Sequence, residues 1–386
     1  MSDSYPEHNN SEPTPESVIA DPVMPIPPKA KIKAPRKKLL LIFGAIILTI
    51  SAVGAFGWSL AKPKPAPLTA IKSLPAPSPT PVPTPVTKVS PLTGVLVSPS
   101  LADRPITAVV IENHPDARPQ SGLGDAGVVY EANAEGGITR FLAFFLDSRP
   151  ASMGPVRSLR TYFVDWALEF NAPVAHAGGN ADALDIVNPL GMKDINALSF
   201  ASDGFFRQRD RNVASEHTLY TNSDKLDALS SRLGFAKPSS FTASPRKADT
   251  PGAAPSHPNI HIDFSYGGYQ VDYRYDATTN DYARSLAGAP HIDRNTGKQI
   301  HVKNVVVEMI PTRYGTTRTG EQTVIMSTVG QGAGWVMRDG EVVPITWIKD
   351  SHSARTKLVD ATGTEVALNA GNTWYAVVPV GNNVSF

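Results

Sequence analysis

The run Leu39–Ala61, LLLIFGAIILTISAVGAFGWSLA, carries no charged side chain. Roughly 20 apolar residues in a helix match the hydrocarbon thickness of a bilayer, whereas a buried soluble helix of this length is rare. The run is therefore expected to cross a membrane once, and whatever folds must lie to one side of it. Lys29, Lys31, Lys33, Arg36, Lys37 and Lys38 crowd before it. Basic residues stay on the cytoplasmic side, so residues 1–38 are expected inside and everything after Ala61 outside. Trp58 falls near the outer interface, where its amphipathic ring is favoured. Residues 1–38 show no apolar periodicity and are expected to be disordered. Ser59-Leu60-Ala61 offers the alternative of signal cleavage and secretion, but the apolar run exceeds the usual signal core of about 7–15 residues.

Residues 62–91 hold ten of the 35 prolines. Proline-rich chain is extended and semi-rigid, so this segment is expected to be a stalk. Tail and stalk take 10 of the 36 bases and 5 of the 35 acids, which leaves residues 92–386 with 26 bases and 30 acids, formally −4. That balance excludes a nucleic-acid binder held by overall charge, so any anion must meet a local site. The absence of cysteine excludes disulfides, thiolate metal sites, cysteine nucleophiles and a lipid-modified cysteine.

The remainder reads as α+β: a mixed α/β segment over residues 92–236, a linker rich in Pro, Ser, Ala and Thr over 237–258, and a mainly antiparallel β segment over 259–386. ITAVVIEN, GVVYEANAE and ITRFLAFFLD read as strands, the last two joined by Gly136-Gly137, a two-residue hairpin signal. Leu159, Tyr162, Phe163, Trp166, Ala167 and Phe170 recur at helical spacing and predict an amphipathic helix. Helices are also expected over 181–187 and 222–233, the latter capped by Asn222 or Ser223. After residue 258 short apolar strands alternate with turn signals such as Asp339-Gly340 and Thr362-Gly363. Gly330, Gly332 and Gly334 lack the βαβ context of a nucleotide fingerprint and predict a bent or bulged strand.

ARPQSGLGDAGVVYEANAEGGITRF, GPVRSLRTYF and HAGG, followed by APHID, KNVVVEMI, TWIK and TWYAVVP, resemble the YerB-like family, a two-part extracytoplasmic domain of bacteria with no established reaction. The resemblance covers about residues 91–381. Members are often lipoproteins; with no cysteine to carry a lipid, this chain departs from them and would rely on residues 39–61 instead.

A two-residue hairpin would pair Glu135 with Ile138 and Asn133 with Arg140. It would gather Glu131, Asn133, Glu135 and Arg140 on one face near the tip, either as a solvated ion-pair face or as a ligand rim. Nine arginines and one lysine lie between residues 101 and 224. A guanidinium fork suits a carboxylate or phosphate, and Gly154–Ser158 leads into a helix start. Arg118, Gln120, Glu131, Glu135, Arg140, Arg157, Arg160, His176 and His217 are therefore the candidate ligand-binding residues, with internal pairing of the arginines as the alternative. No HExxH, GxSxG or SxxK occurs, and no catalytic residue, metal or cofactor is assigned. The expected function is a membrane-anchored binding or regulatory module of the cell envelope whose partner is an anionic envelope glycan or an envelope protein. The alternative is an enzyme acting on an envelope polymer with Glu131 or Glu135 as general acid or base.

Sequencing the N-terminus of the protein from the membrane fraction tests the anchor. An uncleaved anchor leaves the start of the chain intact, whereas a mature protein starting at Lys62 identifies a removed signal.

Overall fold

A computed structural model describes residues 86–251 and 255–386. The expected tail, the expected membrane span and most of the stalk lie outside these residues. Among the described residues no helix is long and apolar enough to cross a membrane.

The chain forms a mixed α/β body with a mainly β C-terminal part. In order, the principal elements are β1 (Thr107–Glu112), β2 (Val128–Asn133), β3 (Thr139–Phe145), α1 (Thr161–Glu169), β4 (Val174–His176), α2 (Ala181–Val187), β5 (Asp194–Asn196), α3 (Ala197–Gly204) and α4 (Ser223–Arg232). After the linker come β6 (Asn259–Asp263), β7 (Gln270–Asp276), β8 (Asp281–Leu286), β9 (Asn304–Ile310), β10 (Gly330–Arg338), β11 (Glu341–Lys349), β12 (Lys357–Val359), β13 (Thr373–Pro379) and β14 (Val384–Ser385).

A ten-stranded sheet runs in the order β12-β11-β10-β9-β13-β2-β3-β1-β4-β5. Both sequence segments therefore contribute to one sheet, and the described residues belong to one compact unit. The seam is β13, which lies parallel to β2 on one side and to β9 on the other, with Tyr375 opposite Tyr130. Strand periodicity cannot foresee the β13–β2 pairing, because it joins strands more than 200 residues apart.

Both faces of the large sheet are covered, so its central strands read as unbroken apolar runs. Ala108, Val110, Tyr130, Leu142 and Phe144 pack against Tyr162, Phe163 and Trp166 of α1. The alternate residues Val109, Ile111, Val129, Phe141 and Ala143 pack against Ile260, Ile262, Tyr273 and Tyr282 of the second sheet and against Leu226 and Leu229 of α4. That second sheet is antiparallel and contains β14-β6-β7-β8 in order. On the α1 side, Trp166, Tyr130 and Tyr375 stack with centroid separations of 4.7 and 4.4 Å, joining α1, β2 and β13.

The helices fall where their spacing predicts. Asn180 and Asn222 cap α2 and α4 by accepting the amides of Ala183 and Lys225. However, α1 is not amphipathic: Tyr162–Ala167 and Glu169 are all buried, because strands, α2 and the hairpin Thr312–Met326 enclose it. The folded body also begins before residue 92. Lys88–Val89 pairs with Leu96–Val97, and the Ser90 hydroxyl donates to Asp147 at 2.5 Å. The linker is partly docked, since Arg246–Lys247 pairs with Leu368–Asn369. Asp339-Gly340 turns β10 into β11 with both residues at positive φ, 57° and 76°. The glycine-spaced run pairs with β11 without a bulge, although Gly330 sits at φ 133°, and a Cβ on Gly334 would lie 2.2 Å from the Val307 carbonyl oxygen.

Between the sheet and α1 lies a polar cluster. Lys349 Nζ donates to Glu169 at 3.2 Å, and the Thr356 hydroxyl donates to the same carboxylate at 3.0 Å. Glu308 is 1 % exposed, and its Oε1 has no hydrogen-bond partner among the described residues. Burial, and then the charge of Glu169, push its carboxyl up to about 8. A carboxyl whose folded pKa is raised stabilises the fold fully only below its unfolded value, and that contribution is lost as pH rises through the folded value. Stability should therefore fall between pH about 4.5 and about 8, with a contribution from Glu308 of up to about 1.4 kcal/mol per unit. Glu308→Gln should flatten this slope and exceed the parent protein in stability above pH 8, as read from urea melts across that range.

Candidate functional site

The β2–β3 hairpin carries three of the candidate residues, Glu131, Glu135 and Arg140, and its register differs from the sequence expectation. Glu135–Gly137 forms a tight turn with Gly136 and Gly137 at φ 69° and 73°, so the loop has an odd number of residues. Asn133 then pairs with Thr139, Ala132 with Arg140 and Glu131 with Phe141. A one-residue shift sends a side chain to the other face. Glu131, Asn133 and Arg140 are thus not together: Glu131 faces the second sheet, while Arg140 faces α1. Nor is the tip an open rim, since the Ser265 hydroxyl donates to the Gly137 carbonyl at 2.5 Å.

Glu131 has no exposed surface and belongs to a closed hydrogen-bond ring. Arg284 donates to Glu131 Oε2 at 2.6 Å and also to His291 Nδ1. His291 Nε2 lies 3.0 Å from Gln120 Oε1, and Gln120 Nε2 donates to Asn113 Oδ1 at 2.9 Å. Asn113 Nδ2 donates to the Thr139 hydroxyl at 2.7 Å, and that hydroxyl donates to Glu131 Oε1 at 2.8 Å. Trp374 Nε1 adds a bond to Glu131 Oε2 at 3.0 Å. The donor directions have one consistent solution. Arg284 can only donate, so His291 accepts at Nδ1 and carries its proton on Nε2. Burial, and then Arg284 and Arg118, lower the His291 pKa well below its ordinary value, in keeping with a neutral ring. Arg118 supports the ring from its edge, donating to Asn113 Oδ1 at 3.0 Å and the Gly268 carbonyl at 2.9 Å, with its guanidinium over Tyr269. Glu131, Gln120 and Arg118 are therefore structural partners within the body, and Glu131 is closed to any substrate.

Arg140, Arg157, Arg160 and Glu135 do come together. Arg160 Nε donates to Glu135 Oε1 at 2.6 Å, and its NH2 pairs with the other oxygen. Burial would raise the Glu135 carboxyl, but the bonds and charge of Arg160 outweigh it and hold the group below its ordinary value. Arg140 donates one bond, to the Ser158 carbonyl at 2.9 Å. Burial, and then the like charges of Arg160 and Arg157, bring its guanidinium down to about 10, against opposing help from Tyr162 and Glu135. Its Nε is buried with no hydrogen-bond partner among the described residues. The Arg157 Nε lies 2.7 Å from Glu112 Oε1, but the N–H is not aligned for a hydrogen bond, so the contact is an ion pair only. Beside Glu135 opens a hollow of about 470 Å³ lined by Gly136, Tyr314, Gly315, Thr316, Gln322 and Thr323.

His217 joins this corner through Glu112, whose Oε2 is 2.8 Å from Nδ1. His176 does not: its ring is fully buried between the Gly178 carbonyl and Asp194, both at 2.7 Å, and links β4 to β5.

Three comparisons bear on this arrangement. Models of a protein of unknown function (DUF3048) match its N-terminal domain to residues 92–236 and its C-terminal domain to residues 260–375. The "Putative lipoprotein YerB" of Bacillus subtilis is 31% identical over 294 residues, covering 75% of this chain and 86% of the relative. The chain belongs to the YerB-like DUF3048 family. The crystal structure of the YerB protein from Bacillus subtilis is similar with a TM-score of 0.67 at 29% identity, covering 77% of this chain and 99% of that one.

Sequence reasoning missed Glu112, Asn113, Arg284 and His291. Two signals were present. Tyr282-x-Arg284-x-Leu286 puts a charge on the apolar face of a strand, and Glu112-Asn113 ends an apolar run with two polar residues. Removing one member of a buried ion pair typically costs about 3–5 kcal/mol, because the other charge is stranded. Arg284→Met should lose stability on that scale, and Glu131→Gln added to it should recover part of the loss. A double-mutant cycle by urea denaturation checks both.

Proposed function

We propose that this chain is a membrane-anchored, extracytoplasmic binding module of the bacterial envelope that recognises an anionic ligand at the Arg140–Arg157–Arg160 corner. The observation that carries the reading is the pair of buried guanidinium nitrogens, Arg140 Nε and Arg157 Nε, neither with an aligned acceptor among the described residues. Buried donors are normally satisfied, and crowded like charges raise the energy of the corner. A carboxylate or phosphate bound there would offset the crowded positive charge and offer an acceptor. The name of the Bacillus subtilis relative speaks for attachment to a membrane. This sequence offers no cysteine for a lipid, and its apolar run 39–61 supplies the anchor in this reading, with the stalk holding the body away from the bilayer. An acid–base role for Glu131 or Glu135 finds no support in the geometry, since each carboxylate is held by an arginine.

Inorganic phosphate and N-acetylmuramic acid serve as probes in calorimetric titrations of the whole protein. Arg157→Ala should weaken binding at least about tenfold, and Arg157→Lys should weaken it too, because lysine keeps the charge but loses the fork. Thermal melts on the same samples should show little change for Arg157→Lys, which keeps a charge beside Glu112, and a drop for Arg157→Ala, which leaves that buried carboxylate with His217. A large drop in melting temperature with unchanged affinity in the folded fraction would make the corner structural.

A further inference from the structure

The turn after β1 and the turn before residue 219 bring a second set of ligand atoms to the surface. His114 and Asp116 lie on the first, and His217 on the second. Their donor atoms all lie within 4.8 Å of one another. His114 Nδ1 and Asp116 Oδ2 are 3.7 Å apart, and the two imidazoles stack at 5.0 Å with 15° between their planes. Ligands about 2.0–2.2 Å from a tetrahedral zinc lie about 3.3–3.6 Å from each other, so the set closes once the His114 ring turns off the Asp116 amide, whose N–H its Nδ1 accepts at 3.2 Å, and off its stack on His217. His114 and Asp116 have room to rotate, with side chains 37% and 63% exposed, while His217 is 6% exposed and fixed.

What fixes His217 is the second observation. Its Nδ1 faces the Glu112 carboxylate at 2.8 Å, so Nδ1 carries the proton and Nε2 keeps its lone pair. A carboxylate behind a histidine in this way sets the tautomer of metal-binding imidazoles and raises their basicity. Glu112 is itself held by Arg157. The two turns are also tied to each other: Arg211 donates to the Asp116 and Arg118 carbonyls at 3.2 and 3.0 Å, and to the His217 carbonyl at 3.4 Å. With Glu112 balanced by Arg157, the charge of Asp116 remains for a cation.

We propose that His114, Asp116 and His217 form a three-ligand surface site for a divalent transition cation such as zinc, with Glu112 orienting His217 from behind. Two imidazoles and one carboxylate suit zinc, and water completes the tetrahedron. Such a site would escape sequence motifs because its ligands come from two turns about a hundred residues apart.

The test uses untagged full-length protein, zinc chloride and metal analysis after gel filtration. About one zinc per chain is expected, together with the visible spectrum of tetrahedral cobalt when cobalt is substituted. His114→Ala and His217→Ala should each weaken binding at least about tenfold. Glu112→Gln should weaken it about 10–100-fold, as removal of such supporting partners does. His261→Ala, in β6 on the second sheet, should leave binding unchanged. His114 is exposed enough that its variant should fold, which a thermal melt checks. Less than stoichiometric zinc in the parent protein, or equal binding by the His114→Ala/His217→Ala double variant, overturns the proposal.

Discussion

The body is organised around a buried ion pair, Glu131 with Arg284, both without exposed surface. Burying two charges is costly, and their mutual attraction offsets this only where every remaining donor and acceptor is satisfied. Here the ring through His291, Gln120, Asn113 and Thr139, with Trp374 as a further donor, meets that condition. Its members come from β2, β3, β8, β13 and two loops. The ring therefore fixes how the later part of the chain lies against the earlier part, a role in which directional bonds are more selective than apolar contact.

The same short stretch that feeds the ring also builds the surface. Asn113 and Gln120 point inward, as does Glu112 at the end of β1, while His114 and Asp116 belong to the exposed turn beside His217. Ligand groups are held accurately when the residues behind them are locked by packing and hydrogen bonds. The buried network supplies that support to the turn.

Glu112 joins the two candidate sites, with one oxygen toward Arg157 and the other toward His217. Any change of charge at one oxygen is felt at the other through a single rigid carboxylate.

The sequence by itself determined the elements whose signal is local. The helices at 181–187 and 223–232, the strands over 107–112 and 139–145, and the Asp339-Gly340 turn were all legible, because spacing and backbone preference act within a few residues. It also brought Arg140, Arg157, Arg160 and Glu135 to notice through residue type. The tertiary structure alone decided the rest. The hairpin register depends on whether the Gly136-Gly137 loop is odd or even, and that one residue sent Glu131 and Arg140 to opposite faces. The place of β13 between β2 and β9, the burial of α1 on all sides, and the meeting of Glu131 with Arg284 depend on contacts between distant parts of the chain. Such contacts are selected by the fit of whole surfaces, and periodicity along one strand or helix carries no record of its partner.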